Sequence, residues 1–178
     1  MFLSNLAHAV LPATFVLYTG YRYGWTARDV GLVMAGVGIC SAIVQGLLVG
    51  PAVRRFGERR ALLGGLACGA LGFLGYGVAP TGALFLLAVP VGALWGIASP
   101  AAQGLMTRHV GPSEHGELQG ATGSVMGVAT MIGPGLFAAT FAYFIGAGAR
   151  WHVPGAAFVL AAALLAAGAV LAARTTAR

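Results

Sequence analysis

Few residues in this chain could do chemistry, and those few lie inside apolar runs. Asn5, His8 and Pro12 stand at i, i+3 and i+7, so on a helix they share one face, which Phe15 or Tyr18 extends. Ser41 and Gln45, four apart, share a face of a second helix, and Gln103 closes a run that also holds Pro90 and Pro100. Polar groups facing hydrocarbon are costly, and ionisable ones inside a membrane mark ion or substrate paths. His8 therefore either belongs to such a path or is a neutral imidazole hydrogen-bonded to a neighbouring helix. Gln45 either clamps a partner helix or lines a cavity. Gln103 is placed to pair with backbone carbonyls that the prolines free.

Other chemistries are poorly supplied. All four acids, Asp29, Glu58, Glu114 and Glu117, lie at the ends of apolar runs or between them, so the chain lacks the interior carboxylate that usually couples proton flow, unless His8 does that work. Four scattered histidines and Cys40 and Cys68, each within a separate apolar run, give no metal-ligand spacing, and no metal or cofactor is implied. Ser41, Ser99 or Ser124 with His8 is the one set that an intramembrane serine hydrolase could draw on, and no oxyanion motif accompanies it. The chain is not expected to be an enzyme. A net charge of +6 does not point to nucleic acid, because all ten basic residues are arginines at the ends of apolar runs, where they fix topology and meet lipid headgroups.

The elements that must position these side chains follow from hydropathy. The chain has 178 residues, is 58% hydrophobic and 8% charged, and its mean hydropathy is +0.86. A spanning helix needs about 20 apolar residues, so six use most of the chain and leave no room for a soluble domain. The expected fold is all-α: one polytopic membrane domain over 1–178, with transmembrane helices at about 2–19, 29–49, 61–79, 83–106, 118–145 and 155–173. Between the second and third lies a charged island, Gly50 to Arg60, whose four arginines and one glutamate place it at a membrane surface.

Local signals refine the boundaries. Tyr21, Tyr23 and Trp25 form an interfacial aromatic belt, Thr26 with Asp29 makes an approximate capping box, and Ser113 is a candidate N-cap for the fifth span. Gly65-x-x-x-Gly69 and Gly92-x-x-x-Gly96 let other backbones come close, and Gly120, Gly123, Gly127 and Gly133-Pro134-Gly135 make the fifth span a thin helix built to be approached. The last span, alanine and leucine throughout, reads as a lipid-facing support. Seven arginines fall on the island side against Arg22, Arg28 and Arg150 on the other, which places both termini in the cytoplasm of a multi-pass inner-membrane (plasma-membrane) protein.

The island resembles the signature loop of the major facilitator superfamily, Gly-x-x-x-Asp-Arg-x-Gly-Arg-Arg, which joins the second and third helices of each six-helix half. Gly50, Arg55, Gly57 and Arg59 match it, while Arg54 replaces the Asp and Glu58 an Arg, an erosion the family shows in its second copy. Pro12-Ala13-Thr14 with Arg22-Tyr23-Gly24-Trp25, Ala35-Gly36 with Gln45, Pro100-Ala101-Ala102-Gln103-Gly104, Gly116-Glu117-Leu118-Gln119-Gly120 and Gly133-Pro134-Gly135-Leu136-Phe137 look, in order, like the C-terminal half of the tetracycline-resistance-like efflux branch. The resemblance implies a proton-coupled antiporter that exports a small amphiphilic compound or drug, with Asn5, His8, Gln45 and Gln103 on the substrate cavity. It makes Gly50, Arg55, Gly57 and Arg59 part of a conformational latch, and Gly127, Gly133 and Pro134 an echo of the glycine-proline antiporter motif. A half alone cannot enclose a path, so the partners implied are substrate, protons, bilayer and either a missing N-terminal half or a second protomer. Tetracycline exporters carry an acid where this chain has Ala67-Cys68-Gly69, so another amphiphile is as good a substrate. The alternative is a non-transporting membrane remnant or helix-packing partner.

Overall fold

The computed structural model describes residues 1–108, 110–146, 151 and 153–176. Arg150 and Arg178, which enter the topology count, and His109 of the polar loop lie outside the described residues. Among those described there is no strand. In chain order come α1 (Phe2–His8), α2 (Val10–Tyr23), α3 (Ala27–Ile43), a π-helical turn (Val44–Leu48) and α4 (Val49–Val78). After these follow α5 (Gly82–Ala93), a 3₁₀ turn (Leu94–Ile97), α6 (Ala98–Thr107), a second 3₁₀ turn (Pro112–Glu114), α7 (His115–Ile145) and α8 (Ala156–Thr175).

Five helical stretches are long and apolar enough to cross a membrane: Phe2–Tyr23, Ala27–Val78, Gly82–Thr107, His115–Ile145 and Ala156–Thr175. The second has 52 residues, about 78 Å at 1.5 Å per residue against a hydrocarbon layer of about 30 Å. It breaks at one residue. Gly57 has φ 77° and ψ 160°, a backbone geometry that L side chains rarely adopt, and it divides α4 into two helical segments. The island is therefore not a loop but helix on both sides of a one-glycine joint.

Proline explains three further irregularities. It offers no N–H to the carbonyl four residues back, and its ring crowds that carbonyl. Pro12 acts on His8, and α1 gives way to α2 at Ala9, whose N–H donates instead to the Leu6 carbonyl at 3.1 Å. Pro51 acts on Leu47, inside the π-helical turn, and Pro100 on Gly96, inside the first 3₁₀ turn.

Lipid removes the hydrophobic drive between helices, so close approach through small residues must hold the bundle together. A Cβ on Gly65 would lie 2.8 Å from the Ala98 nitrogen, one on Gly69 2.8 Å from the Trp95 ring, and one on Gly75 2.8 Å from the Ala88 Cβ. Gly72 faces Gly92 backbone to backbone, and Gly155 meets Gly77 in the same way. α4 thus seats α5 and α6 on one side and α8 on another. The last helix is more than the expected lipid-facing support: Ala157, Phe158, Ala161, Ala162 and Leu165 form a buried stripe, leaving Val170 and Leu171 exposed.

The two ends of the bundle differ. At the end remote from the island, Tyr76 stacks on Phe85 with ring centroids 4.4 Å apart, and Tyr18 meets Phe158 at 4.9 Å. Tyr18 Oη donates to the Tyr76 carbonyl at 2.8 Å, and Arg22 Nε and Tyr23 Oη donate to the Ala79 carbonyl at 3.0 and 2.9 Å. Of the expected interfacial belt, Tyr21 is exposed while Tyr23 and Trp25 pack inward on Phe85. Gly24 in the left-handed region closes α2, and Thr26 with Asp29 forms a complete capping box on α3. The start of α7 differs from expectation: its N-cap is Glu114, not Ser113, and the Glu114 carboxylate instead caps the preceding 3₁₀ turn, accepting from the Gly111 N–H at 2.9 Å.

Candidate functional site

Toward the island end the helices part around a cavity of about 820 Å³, within the range of small-molecule sites. Asn5, His8, Gln45 and Gln103 all line it, brought together from α1, the π-helical turn and α6. The Asn5 amide donates to the Met1 carbonyl at 3.2 Å. His8 packs on Trp95 with ring centroids 5.4 Å apart, and Trp95 Nε1 donates to Ser4 Oγ at 3.2 Å. Gln45 lies beside Gly96: a Cβ there would sit 3.8 Å from its Cγ. Ser4, Ser99, Thr122, Thr175 and Thr176 add hydroxyls to the wall, and the remainder is apolar and adaptable, with Phe2, Leu62, Leu66, Met106 and Met126 prominent.

Ser4 and Trp95 are functional candidates that the sequence reading missed. Ser4 precedes His8 by four residues and so shares its helical face, which is a usable signal. Trp95 lies between Pro90 and Pro100, where a distorted turn is to be expected, but nothing in its sequence context distinguishes a cavity floor from a core or interfacial aromatic.

The island residues divide. Arg59 Nε donates to Thr176 Oγ1 at 2.9 Å and its Nη2 to the Ala173 carbonyl at 3.2 Å, so it caps the C-terminal end of α8. Glu58, 13% exposed, receives Arg108 at 3.0 Å. Gly104 leaves room for this carboxylate, since a Cβ there would lie 2.7 Å from Glu58 Oε1. Arg55 is exposed, with its guanidinium 6.0 Å from the Phe56 ring, and Gly50 is exposed beside Arg54. The joint at Gly57 is therefore tied on one side to α6 and α8 and free on the other.

In the glycine-proline stretch, Gly133 alone makes a close approach, with Ala9 and Leu6 occupying the space a side chain would need. Gly127 and Pro134 are exposed, and a Cβ on Gly127 would meet nothing within 4 Å. The same holds for Gly116, Gly120, Gly123 and Gly135 of α7 and for Gly31, Gly36 and Gly38 of α3. α3 has no buried residue at all. Two helices thus present uncovered small-residue faces.

The described helices thus form an apolar bundle with a polar-studded cavity at one end. The model of the Major Facilitator Superfamily matches residues 1–178, and the chain belongs to that family of transporters. It is 32% identical over 163 residues to the class C tetracycline resistance protein of Escherichia coli, covering 92% of this chain and 40% of that protein. It is 33% identical over 150 residues to the class G tetracycline resistance protein of Vibrio anguillarum, 84% of this chain and 38% of that one. A mouse relative, Hippocampus abundant transcript-like protein 1, is 28% identical over 144 residues, 81% of this chain and 28% of its own length. The chain thus spans about two fifths of the tetracycline resistance proteins it matches. No solved structure matches it.

Proposed function

We propose that the chain supplies one six-helix half, the C-terminal one, of an inner-membrane carrier that exports a small amphiphilic compound in exchange for protons. The observation that carries this reading is the convergence of Asn5, His8, Gln45 and Gln103 on one cavity of about 820 Å³. Reading the Gly57 joint as an interfacial break divides Ala27–Val78 into two spans and gives six in all. Among the described residues, Arg54, Arg55, Arg59, Arg60, Arg108 and Arg174 then share the island side, against Arg22 and Arg28 opposite, which favours cytoplasmic termini. The uncovered faces of α3 and α7 would receive a second six-helix unit, either an N-terminal half or another protomer.

The test is flux of a fluorescent amphiphile into inverted vesicles carrying the chain, driven by an acid-inside gradient. Gln45→Ala with Gln103→Ala should reduce uptake about tenfold through loss of two polar contacts. No flux in any assembly state would instead favour a helix-packing partner that does not transport. Among the described residues His8 is the one ionisable side chain lining the cavity, so His8→Gln should abolish acceleration by the gradient yet preserve downhill exchange of the amphiphile. Gradient-driven uptake surviving in that variant would remove His8 from the proton path.

The island would act as the latch. Arg59 holds the end of α8 in this conformation, and Arg55, free here, would find its partner in the other. Replacing both by Gln should slow transport about tenfold while membrane insertion, followed by protease protection, stays intact. Full-rate transport in the double variant would rule the latch out.

A further inference from the structure

We propose that the cavity takes an anionic aromatic amphiphile, an aryl carboxylate or aryl sulfonate, in preference to an organic cation. This rests on the reading of the cavity as a substrate site. A site for cations would present a carboxylate or a rich aromatic face; here the exposed ring on the wall is Phe2, a weaker partner for a cation than Trp or Tyr. Among the described residues no Asp or Glu lines it. Glu58, which contacts Gly104 beside the lining Gln103, is occupied by Arg108 at 3.0 Å. Trp95, at the cavity floor, is half-buried and packed against His8 at 5.4 Å and Phe73 at 5.7 Å, which reduces the ring area open to a cation.

What the cavity does present is donors. The Gln45 and Gln103 amides and the His8 ring make no side-chain hydrogen bond among the described residues, and all three are exposed at its wall. An amide NH₂ and a ring N–H can each donate to a carboxylate or sulfonate oxygen, bonds stronger than those to a neutral acceptor. The mouth adds a field of the same sign. Arg59 is bonded to Thr176, itself a lining residue, and six arginines share this end of the bundle with Glu58, Glu114 and Glu117. A cavity walled by apolar groups weakens such a field less than water does. Phe2, Leu66, Met106 and Met126 would hold the aromatic body.

The experiment uses three probes on one scaffold: N-phenyl-1-naphthylamine, its 8-sulfonate and a trimethylammonium derivative. Each is titrated onto the full 178-residue chain in phosphatidylcholine nanodiscs, reading energy transfer from tryptophan. The part of the signal lost in Trp95→Phe reports probe at the cavity and separates it from probe in lipid. The sulfonate is expected to bind about threefold more tightly than the neutral probe and about tenfold more tightly than the cation. Arg108→Gln, which bares Glu58 beside Gly104, next in the chain to the lining Gln103, should cut the anion-over-cation ratio about threefold. A sulfonate no tighter than the neutral probe, a cation bound as well as the sulfonate, or a ratio unmoved by Arg108→Gln overturns the charge preference and leaves the cavity reading standing. No Trp95-dependent signal from any of the three overturns the cavity reading itself.

Discussion

Gly72→Leu should prevent α4 from seating closely on α5 and so destabilise the whole bundle. Gly72 meets Gly92 backbone to backbone, so a new side chain there has no flexible neighbour to displace. The same stripe carries Gly65 on Ala98, Gly69 on Trp95 and Gly75 on Ala88, and separating the two helices at its centre loosens every one of these contacts. Overpacking in a close-packed interior commonly costs 1–3 kcal/mol, and a backbone clash belongs at or above the top of that range. A loss of about 3 kcal/mol corresponds to a melting midpoint lower by about 10 °C in a chain of this size. Thermal unfolding of the detergent-solubilised chain measures it. Gly120→Leu is the matched control, because a Cβ at Gly120 meets nothing within 4 Å. Equal midpoints for the two variants would show that the glycine stripe does not hold the helices together.

That contrast also marks how far the fold could be read from sequence. Gly65-x-x-x-Gly69 is visible as a close-approach motif, and so is Gly92-x-x-x-Gly96, but Gly is frequent throughout membrane helices and spacing does not name a partner. Gly72 opposite Gly92 is a tertiary fact. α8 shows the same limit from another side. Its buried stripe, Ala157, Phe158, Ala161, Ala162 and Leu165, has helical spacing, but a helix apolar all round carries no polar face to tell inside from outside when the surroundings are lipid. Asn5 and His8 were legible for the opposite reason, since a polar face among apolar residues must turn away from lipid. The Gly57 joint was legible as a charged island that could not lie in hydrocarbon, yet charge fixes only a boundary and is the same whether helix or loop crosses it. Glu58 was read as an exchanged signature residue, and its contact with Arg108, fifty positions later, is invisible to any local pattern.

Pro51→Ala should weaken amphiphile binding at the cavity about tenfold while leaving the bundle as stable as before or more so. Three cavity side chains stand at helix irregularities, and each lies within one turn upstream of the residue arrangement a proline disturbs: His8 before Pro12, Gln45 before Pro51 and Trp95 before Pro100. In the π-helical turn Val44–Leu48 the Val49 N–H reaches back five residues to the Val44 carbonyl, because Pro51 denies the Leu47 carbonyl its regular donor. A π turn adds one residue to the helix and so turns everything before it by about 100° relative to everything after. That offset sets Gln45 beside Gly96 and on the cavity wall. Alanine restores the N–H, removes the ring and lets the turn relax to α, which takes the Gln45 amide out of reach of a ligand that needs two or more donors. The loss expected is that of one good hydrogen bond, about 1.4 kcal/mol or tenfold in Kd. Because an interior proline costs a helix about 3 kcal/mol or more, the melting midpoint should hold or rise. Tightness of N-phenylnaphthylamine sulfonate at Trp95, set beside the melting midpoint, reads both effects in one preparation. Weaker binding together with a lower midpoint would mean that Pro51 supports the fold generally, and unchanged binding would mean that the π turn does not aim Gln45.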